Sequence, residues 1–287
     1  MRLKFLFSPL VLTLALAIAG LATDADAASV WKVTGPTGGT LYLGGSMHFL
    51  RSTDYPLPSA YNRAFDASTQ LVFEDDPKTS AAAFQDLLKA GQYRKGDSLK
   101  NHVDPRTYDY LRRFFALRGV SEGKFMTFRP WLIDVMLASP PPQYFSLGVD
   151  RFLTRRALAN SKPVSGLESA KEHNRVFVGL NDRESEALLL ILFINAGREN
   201  SGGVNMVDAW RHGDADTLAR VMRDSYRDFP SFEERLVGAR NRNWIPKIES
   251  YLRSGQTYFV VVGAGHMGGP EGLLALLRAH GCEIEQL

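Results

Sequence analysis

The chain has 287 residues, 34 Lys and Arg against 31 Asp and Glu, a net charge of +3 and 45 % hydrophobic residues. Its basic doublets, Arg94-Lys95, Arg112-Arg113 and Arg155-Arg156, are scattered and form no stripe of the kind that neutralises a phosphate backbone, so nucleic-acid binding is not expected. A single cysteine, Cys282, excludes an intramolecular disulfide, and its place in a predicted last strand reads as a small buried hydrophobe.

Arg2 and Lys4 precede an apolar stretch from Phe5 to Ala22, and Ala25-Asp26-Ala27 supplies small residues at the cleavage positions. This is the layout of a secretory signal peptide over residues 1–27. The alternative is an uncleaved anchor, because the stretch is almost long enough to span a bilayer; Pro9, Gly20 and the small-residue end favour cleavage. The remaining chain, 28–287, suits a single α/β domain. No later stretch can span a membrane, Leu188–Ala196 being too short. A periplasmic or secreted protein held together by its core alone is expected.

In chain order, Val30–Val33 and Thr40–Leu43 alternate around the turn-rich Gly35–Gly39 and predict a hairpin. Its second arm runs into Gly45-Ser46-Met47-His48. A helix opens at Pro58 and runs to Ala67, and the strand Gln70–Glu74 comes next, ending in Glu74-Asp75-Asp76. A strand–helix–strand unit predicts a right-handed parallel crossover, with Glu74 beside His48; the acidic run reads equally as a solvated turn. From Ser80 to Leu137 the chain is helical (Ala81–Ala90, Pro105–Arg118, Pro130–Leu137), with Phe114, Phe115 and Leu117 expected in the core. His102, between helices, reads as structural or solvated.

Ser139-Pro-Pro-Pro142 breaks the helices, and Gly148-Val149-Asp150 opens a new one, with Asp150 suited to pairing at its start. Pro163–Glu168 is a third strand ending in an acid, so Glu168 parallels Glu74. Ser169 with Glu172, and Asn181 with Glu184, have capping-box spacing. Arg183–Ile194 is an apolar helix stopped at Ser201–Gly203. Further helices cover Val207–Trp210, Asp214–Tyr226 and Phe232–Leu252, the last kinked at Pro246. There Arg240, Trp244 and Ile248 share a face, so the guanidinium is partly buried and needs an anionic partner. The chain closes with the strand Thr257–Val262, the loop Gly263-Ala264-Gly265-His266, a helix Glu271–His280 and the strand Cys282–Gln286.

The two Gly-x-x-His stretches organise this pattern. Each comes after a run of buried-strand character, and ligands of open α/β sheets sit beyond the carboxyl ends of strands. His48 and His266 are therefore expected at one sheet edge. A lone histidine in such a loop is more often a satisfied polar residue; two copies favour a site.

The stretches Leu43–His48, Leu71–Glu74, Gly148–Asp150, Pro163–Glu168, Arg240–Trp244 and Val261–Gly272, in this order across the whole mature chain, resemble the TraB/GumN family, to which the Tiki metalloproteases belong. The resemblance implies an active centre of His48, His266, Glu74 and Arg240. It also implies a fold distantly similar to erythromycin esterase and the haem-binding ChaN proteins. The predicted elements themselves give a central, mostly parallel or mixed sheet with a helical insertion over about 80–255, which is expected to cover the substrate.

The leading expectation is metal-assisted hydrolysis of a peptide or protein substrate. His48, Glu74 and His266 would hold Mn, Co or Zn, and Arg240 would stabilise an oxyanion or hold a substrate carboxylate. Gly45, Asp150, Glu168, Asn241 and Gly263 are the candidates for supporting these residues. One alternative drops the metal and uses a histidine as general base oriented by Glu74; Ser46, two residues from His48, is a poor nucleophile candidate because such near neighbours seldom face each other. The other is a haem or metal carrier without turnover, with Tyr42 and Tyr55 as nearby ligand candidates.

Overall fold

The computed structural model describes residues 27–139, 147–197 and 204–287. The expected signal peptide up to residue 26, the Pro140–Pro142 break and the Ser201–Gly203 helix stop lie outside the described residues. Among those described, no helix is long and apolar enough to cross a membrane.

Six strands, β1 (Val30–Thr34), β2 (Thr40–Ser46), β3 (Gln70–Asp75), β4 (Val164–Glu168), β5 (Tyr258–Gly263) and β6 (Glu283–Gln286), form one mixed sheet in the order β4-β3-β5-β2-β1-β6. Strands β4, β3, β5 and β2 run parallel. β1 lies antiparallel between β2 and β6. The α/β fold with a mixed sheet is therefore as expected from sequence.

β5 explains the continuous apolar run that marked it. Phe259 and Val261 join Tyr61, Phe65 and Trp210 on one face, and Val260 and Val262 join Trp244, Ile248 and Met267 on the other. A strand buried on both faces has no place for a polar alternate, and each such side chain stabilises the fold by roughly 1.5–3 kcal/mol. Helices Ser59–Ala67 and Val149–Ala159 cover the first face through Ala64, Leu153 and Ala157. Helices Ala239–Leu252 and Leu273–Ala279 cover the second through Ile245, Leu252 and Leu277.

Strand register brings the polar loops together. Ser46 of β2 pairs with Gly263 of β5, and Asp75 of β3 pairs with Glu168 of β4. Four parallel strands thus end level at one edge, each leading into a loop that carries a polar side chain.

The helical insert is split rather than continuous, because helix Val149–Ala159, β4 and helix Ala239–Leu252 return to the sheet. Helices Ser80–Ala90, Pro105–Ala116, Pro130–Ala138, Ala170–Val178 and Asp182–Gly197 have cores of their own, built on Trp131, Leu188 and, from helix Pro230–Glu233, Phe232, and on Leu99, Leu111 and Leu189. Leu117 does not join them: it lies past the end of Pro105–Ala116 and is 86 % exposed, whereas the buried stripe runs through Thr107, Tyr108 and Leu111. His102 is structural, held between Asp97 and Asp182 at 2.8 and 2.7 Å and stacked on Tyr93.

The insert also buries a carboxyl, Asp134, beside Trp131, Leu132 and Ile133. Burial pushes its pKa up to about 7 from 3.8. The folded state therefore disfavours the ionised form. This penalty is absent below the unfolded pKa of 3.8, grows as pH rises towards 7, and is constant above. A tenfold change in proton affinity corresponds to about 1.4 kcal/mol. Asp134→Asn is expected to raise stability by about 2–4 kcal/mol at pH 8 and to leave it nearly unchanged at pH 4, measured by chemical denaturation; a gain of equal size at both pH values would contradict this origin.

Candidate active site at the carboxyl edge of the sheet

A cleft of about 500 Å³ opens at this edge, lined at its floor by His48, Glu74, Asp150 and His173. Each side chain arrives from a different element. His48 leaves β2 through a loop fixed from below. The Gly45 carbonyl accepts hydrogen bonds from the Trp210 indole at 2.8 Å and from the Tyr61 hydroxyl, and the Gly45 amide donates to Ser29 O at 2.7 Å. From the side, Gly148 packs against the His48 backbone so closely that a β carbon there would lie 2.1 Å from the His48 carbonyl oxygen. Val149 N donates to Met47 O at 3.0 Å.

This docking brings Asp150, in the first turn of helix Val149–Ala159, onto the histidine. Asp150 Oδ2 lies 2.9 Å from His48 Nδ1 and accepts from Ser46 Oγ at 2.5 Å. Asp150 therefore orients the imidazole, with Nδ1 donating and Nε2 turned inwards. Ser46 is buried and committed to this carboxylate, which leaves it no nucleophilic role. The Asp150 charge raises His48 to about 9, although the imidazole is 56 % exposed.

Glu74 and His266 lie deeper. Glu74 Oε1 accepts from Gly263 N at 2.7 Å, and Oε2 accepts from Arg240 Nη2 at 2.5 Å. Burial pushes the Glu74 carboxyl up, but Arg240 and the nearby histidines outweigh it and hold it well below the usual range. His266 Nδ1 lies 2.7 Å from Asn241 Oδ1. The Asn241 amide donates to His266 O and Glu271 O at 3.1 and 2.7 Å, which fixes its orientation and makes Nδ1 the donor. The His266 lone pair is therefore on Nε2, 3.9 Å from Glu74 Oε1. Burial lowers this imidazole to about 4, so it is neutral at ordinary pH.

The three groups converge at Gly263. A β carbon at that position would lie 3.1 Å from Glu74 Oε1, 3.5 Å from His48 Nε2 and 3.6 Å from His266 Cδ2. The missing side chain is the space they share. Two imidazoles and a carboxylate are a donor set of the kind used for catalytic divalent metals; among the described residues the ligand atoms that already lie within 4.8 Å of one another are instead those of Glu74, Glu168 and His173.

Arg240 holds the other side. Nη2 donates to Glu74 and, at 2.5 Å, to Glu168 Oε1; Nε donates to Glu168; Nη1 donates to Leu236 O at 3.1 Å and meets His266 Nε2 at 3.2 Å. Its N–H groups are thus engaged within the protein. The oxyanion role expected from sequence would require one of them to be released. The π-turn Glu234–Gly238 precedes Arg240 and directs Leu236 O at the guanidinium, as such bulges do at functional sites. Removing Arg240 would leave two buried carboxylates uncompensated, at a cost of about 3–5 kcal/mol.

Glu168, expected as a supporting residue, binds Arg240 and also His173 Nδ1 at 2.8 Å. His173 was not singled out by the sequence. Its signal was its place at the start of helix Ala170–Val178, five residues past a strand-end acid, where the Ser169–Glu172 capping box turns it back over the sheet. Among the described residues, Glu74, Glu168 and His173 bring ligand atoms within 4.8 Å of one another. The Arg240 guanidinium already bridges the two carboxylates, so it stands where an ion would and offsets one of their two charges. The haem-ligand candidate Tyr55 donates its hydroxyl to Leu147 O at 2.7 Å, and Tyr42 packs partly buried against the core.

In metal-free protein, NMR titration should find His48 protonated up to pH about 9 and His266 neutral down to about 4. Asp150→Asn should return His48 towards 6.5, because the carboxylate that favours the charged ring is gone. A His48 pKa unmoved by Asp150→Asn would contradict the assigned pairing. Acid should also destabilise the fold as pH falls from 6.5 towards 4, where the unfolded His266 binds a proton and the folded one does not.

Residues 29–286 match the TraB/PrgY/gumN family model. The chain is 25 % identical over 256 residues to the uncharacterised protein YbaP of Escherichia coli, covering 86 % of this chain and 90 % of that one. It is 25 % identical over 310 residues to the metalloprotease TIKI2 of Danio rerio, covering 85 % of this chain and 58 % of that one. An uncharacterised protein of Treponema pallidum is 22 % identical over 272 residues, with 86 % and 79 % covered. No solved structure matches. With its whole sheet and every edge residue inside the matched span, the chain belongs to the TraB/PrgY/gumN family.

Proposed function

We propose that this protein is a divalent-metal-dependent hydrolase of peptide bonds, periplasmic or secreted. His48, Glu74 and His266 are the metal ligands in this reading, with Mn, Co or Zn as the ion. The observation that carries it is the convergence of His48 Nε2, Glu74 Oε1 and His266 on the space left by Gly263. The metalloprotease name of the TIKI2 relative supports the reaction class.

Charge supports it too. Glu74, Glu168 and Asp150 stand against one guanidinium, and the His48 proton offsets only part of the excess. A dication in place of that proton brings the cluster to neutrality. When bound, such an ion lowers the pKa of a water molecule and polarises a carbonyl. The protein's own part is positioning. Asp150 aims His48, Asn241 fixes the His266 tautomer, and the Gly263 amide with Arg240 holds the Glu74 carboxylate. Were His266 Nε2 to hold the ion, the Arg240 N–H that it now meets at 3.2 Å would be a donor for a developing oxyanion. Glu168 and His173 anchor the far side of Arg240.

Gly263→Ala is the direct test of the shared space. Its backbone, φ −49° and ψ 134°, accepts an alanine without strain. The variant should fold as the parent does yet bind Mn or Zn at least 100-fold more weakly by calorimetry; unchanged affinity would rule out this ligand set. Activity against a peptide library should vanish in His48→Ala and His266→Ala and in excess chelator, with circular dichroism preserved. Hydrolysis that persists in chelator would favour a His48 general base instead, and tight haem uptake without turnover would favour a carrier. Glu74→Gln should weaken metal binding, whereas Asp75→Asn, whose carboxylate bonds Ser80 Oγ at 2.9 Å, should not. Equal effects would mean that the wrong carboxylate was chosen.

A further inference from the structure

The helical insert carries an apolar surface built from none of the residues that line the cleft. Helices Pro105–Ala116 and Asp182–Gly197 lie side by side and run the same way. Asp104 N donates to Glu186 Oε1 at 2.9 Å near their starts. Further on, the Phe193 ring meets Tyr110 and Phe114, with centres 5.0 and 4.9 Å apart. Tyr110, Leu190 and Ile194 are exposed beside it. Leu117, three residues past Phe114 and so on the same face, is 86 % exposed. Apolar residues scattered singly over a surface are ordinary, whereas a contiguous group marks a place of contact. Positive charge borders it. Arg118 lies over the Phe114 ring, 3.6 Å from its centre, and donates to Phe114 O at 3.1 Å; no carboxylate among the described residues pairs with it. Arg112 and Arg113 share the one carboxylate of Asp109, at 2.8 and 2.6 Å. Residues 80–139 hold ten Lys and Arg against six Asp and Glu, and the rest of the chain 24 against 25. The acids of the second helix, Asp182, Glu184 and Glu186, sit near its start, the end far from Leu117.

We propose that this surface docks on a membrane that contains anionic lipid. Leu117 and Phe114 enter the headgroup layer, and Arg113 and Arg118 stay at its level to meet lipid phosphates. Arginine suits that depth, because its apolar stem can be buried while its charged tip stays wet. Tyr110 suits it too, with an apolar ring and a polar hydroxyl. In such docking, apolar burial and attraction to anionic headgroups add together. A second copy of this chain fits the surface less well. A two-fold interface sets a patch against itself and brings Arg113 and Arg118 of both copies to one place. A lipid surface supplies an apolar interior and the opposite charge at once. The docking does not depend on the reaction proposed for the cleft.

The test reads which face of the full chain meets lipid. The native cysteine, Cys282, is buried, so Leu117→Cys directs the environment-sensitive dye nitrobenzoxadiazole to position 117. Leu158→Cys, on helix Val149–Ala159 and 60 % exposed, is the control. The vesicles are phosphatidylcholine alone or with one-third phosphatidylglycerol. Dye at position 117 should brighten about twofold or more with anionic vesicles, little with neutral ones, and less as salt rises. Dye at position 158 should not respond. Anchoring by the apolar stretch Phe5–Ala22 would not separate the two positions in this way, because both labels sit on the same chain. Arg113→Gln with Arg118→Gln should weaken partitioning roughly tenfold or more with thermal melting unchanged. A dye at position 117 that ignores anionic vesicles, equal responses at the two positions, or a response as strong with neutral vesicles would overturn the docking. Brightening with protein concentration in the absence of lipid would overturn it too, in favour of a second copy on this face.

Discussion

A buried guanidinium between two buried carboxylates is the constraint on which this edge depends. Glu74 and Glu168 end neighbouring parallel strands and are nearly removed from water. Two like charges so placed would drive protonation or unfolding without compensation. Arg240 supplies it and ties helix Ala239–Leu252 to both strands and to His266. The helix is built to deliver that one side chain: Trp244 and Ile248 bury the same face, the Trp244 ring lies under the guanidinium, and the π-turn adds Leu236 O. The partner that sequence demanded for Arg240 is thus two carboxylates from two strands.

The sheet order converts this local neutralisation into a site. Because β2 and β5 are adjacent and parallel, their glycine loops end side by side, and the two imidazoles arrive by different routes in different electrical states. His48 is exposed, carboxylate-oriented and proton-binding; His266 is buried, amide-oriented and neutral. Groups whose surroundings push their pKa values apart are the pattern expected where a site handles protons or a cation.

Much of this was legible in residues. Apolar runs ending in glycine located β2 and β5, and strand-end acids located Glu74 and Glu168, because buried parallel strands and tight loops leave strong local signatures. Capping boxes at Ser169 and Asn181 were legible for the same reason, and both form. What could not be read was long-range. Asp150 was among the supporting candidates, but its partner could not be read; only the close packing of Gly148 on the His48 backbone turns it onto the imidazole. His173 lacked a motif of its own, and its role appears once β4 lies beside β3. Leu117 kept to the helical period but fell beyond the helix end, where periodicity no longer implies burial.

The proposed function places one divalent ion among His48, Glu74 and His266, and anomalous diffraction from crystals grown with Mn or Zn would test it. The expected result is a single strong anomalous peak bonded to both imidazoles and to Glu74, with Arg240 still paired to Glu168. A peak seated instead between Glu168 and His173 with Arg240 displaced, or full incorporation of metal elsewhere with these side chains unchanged, would contradict it.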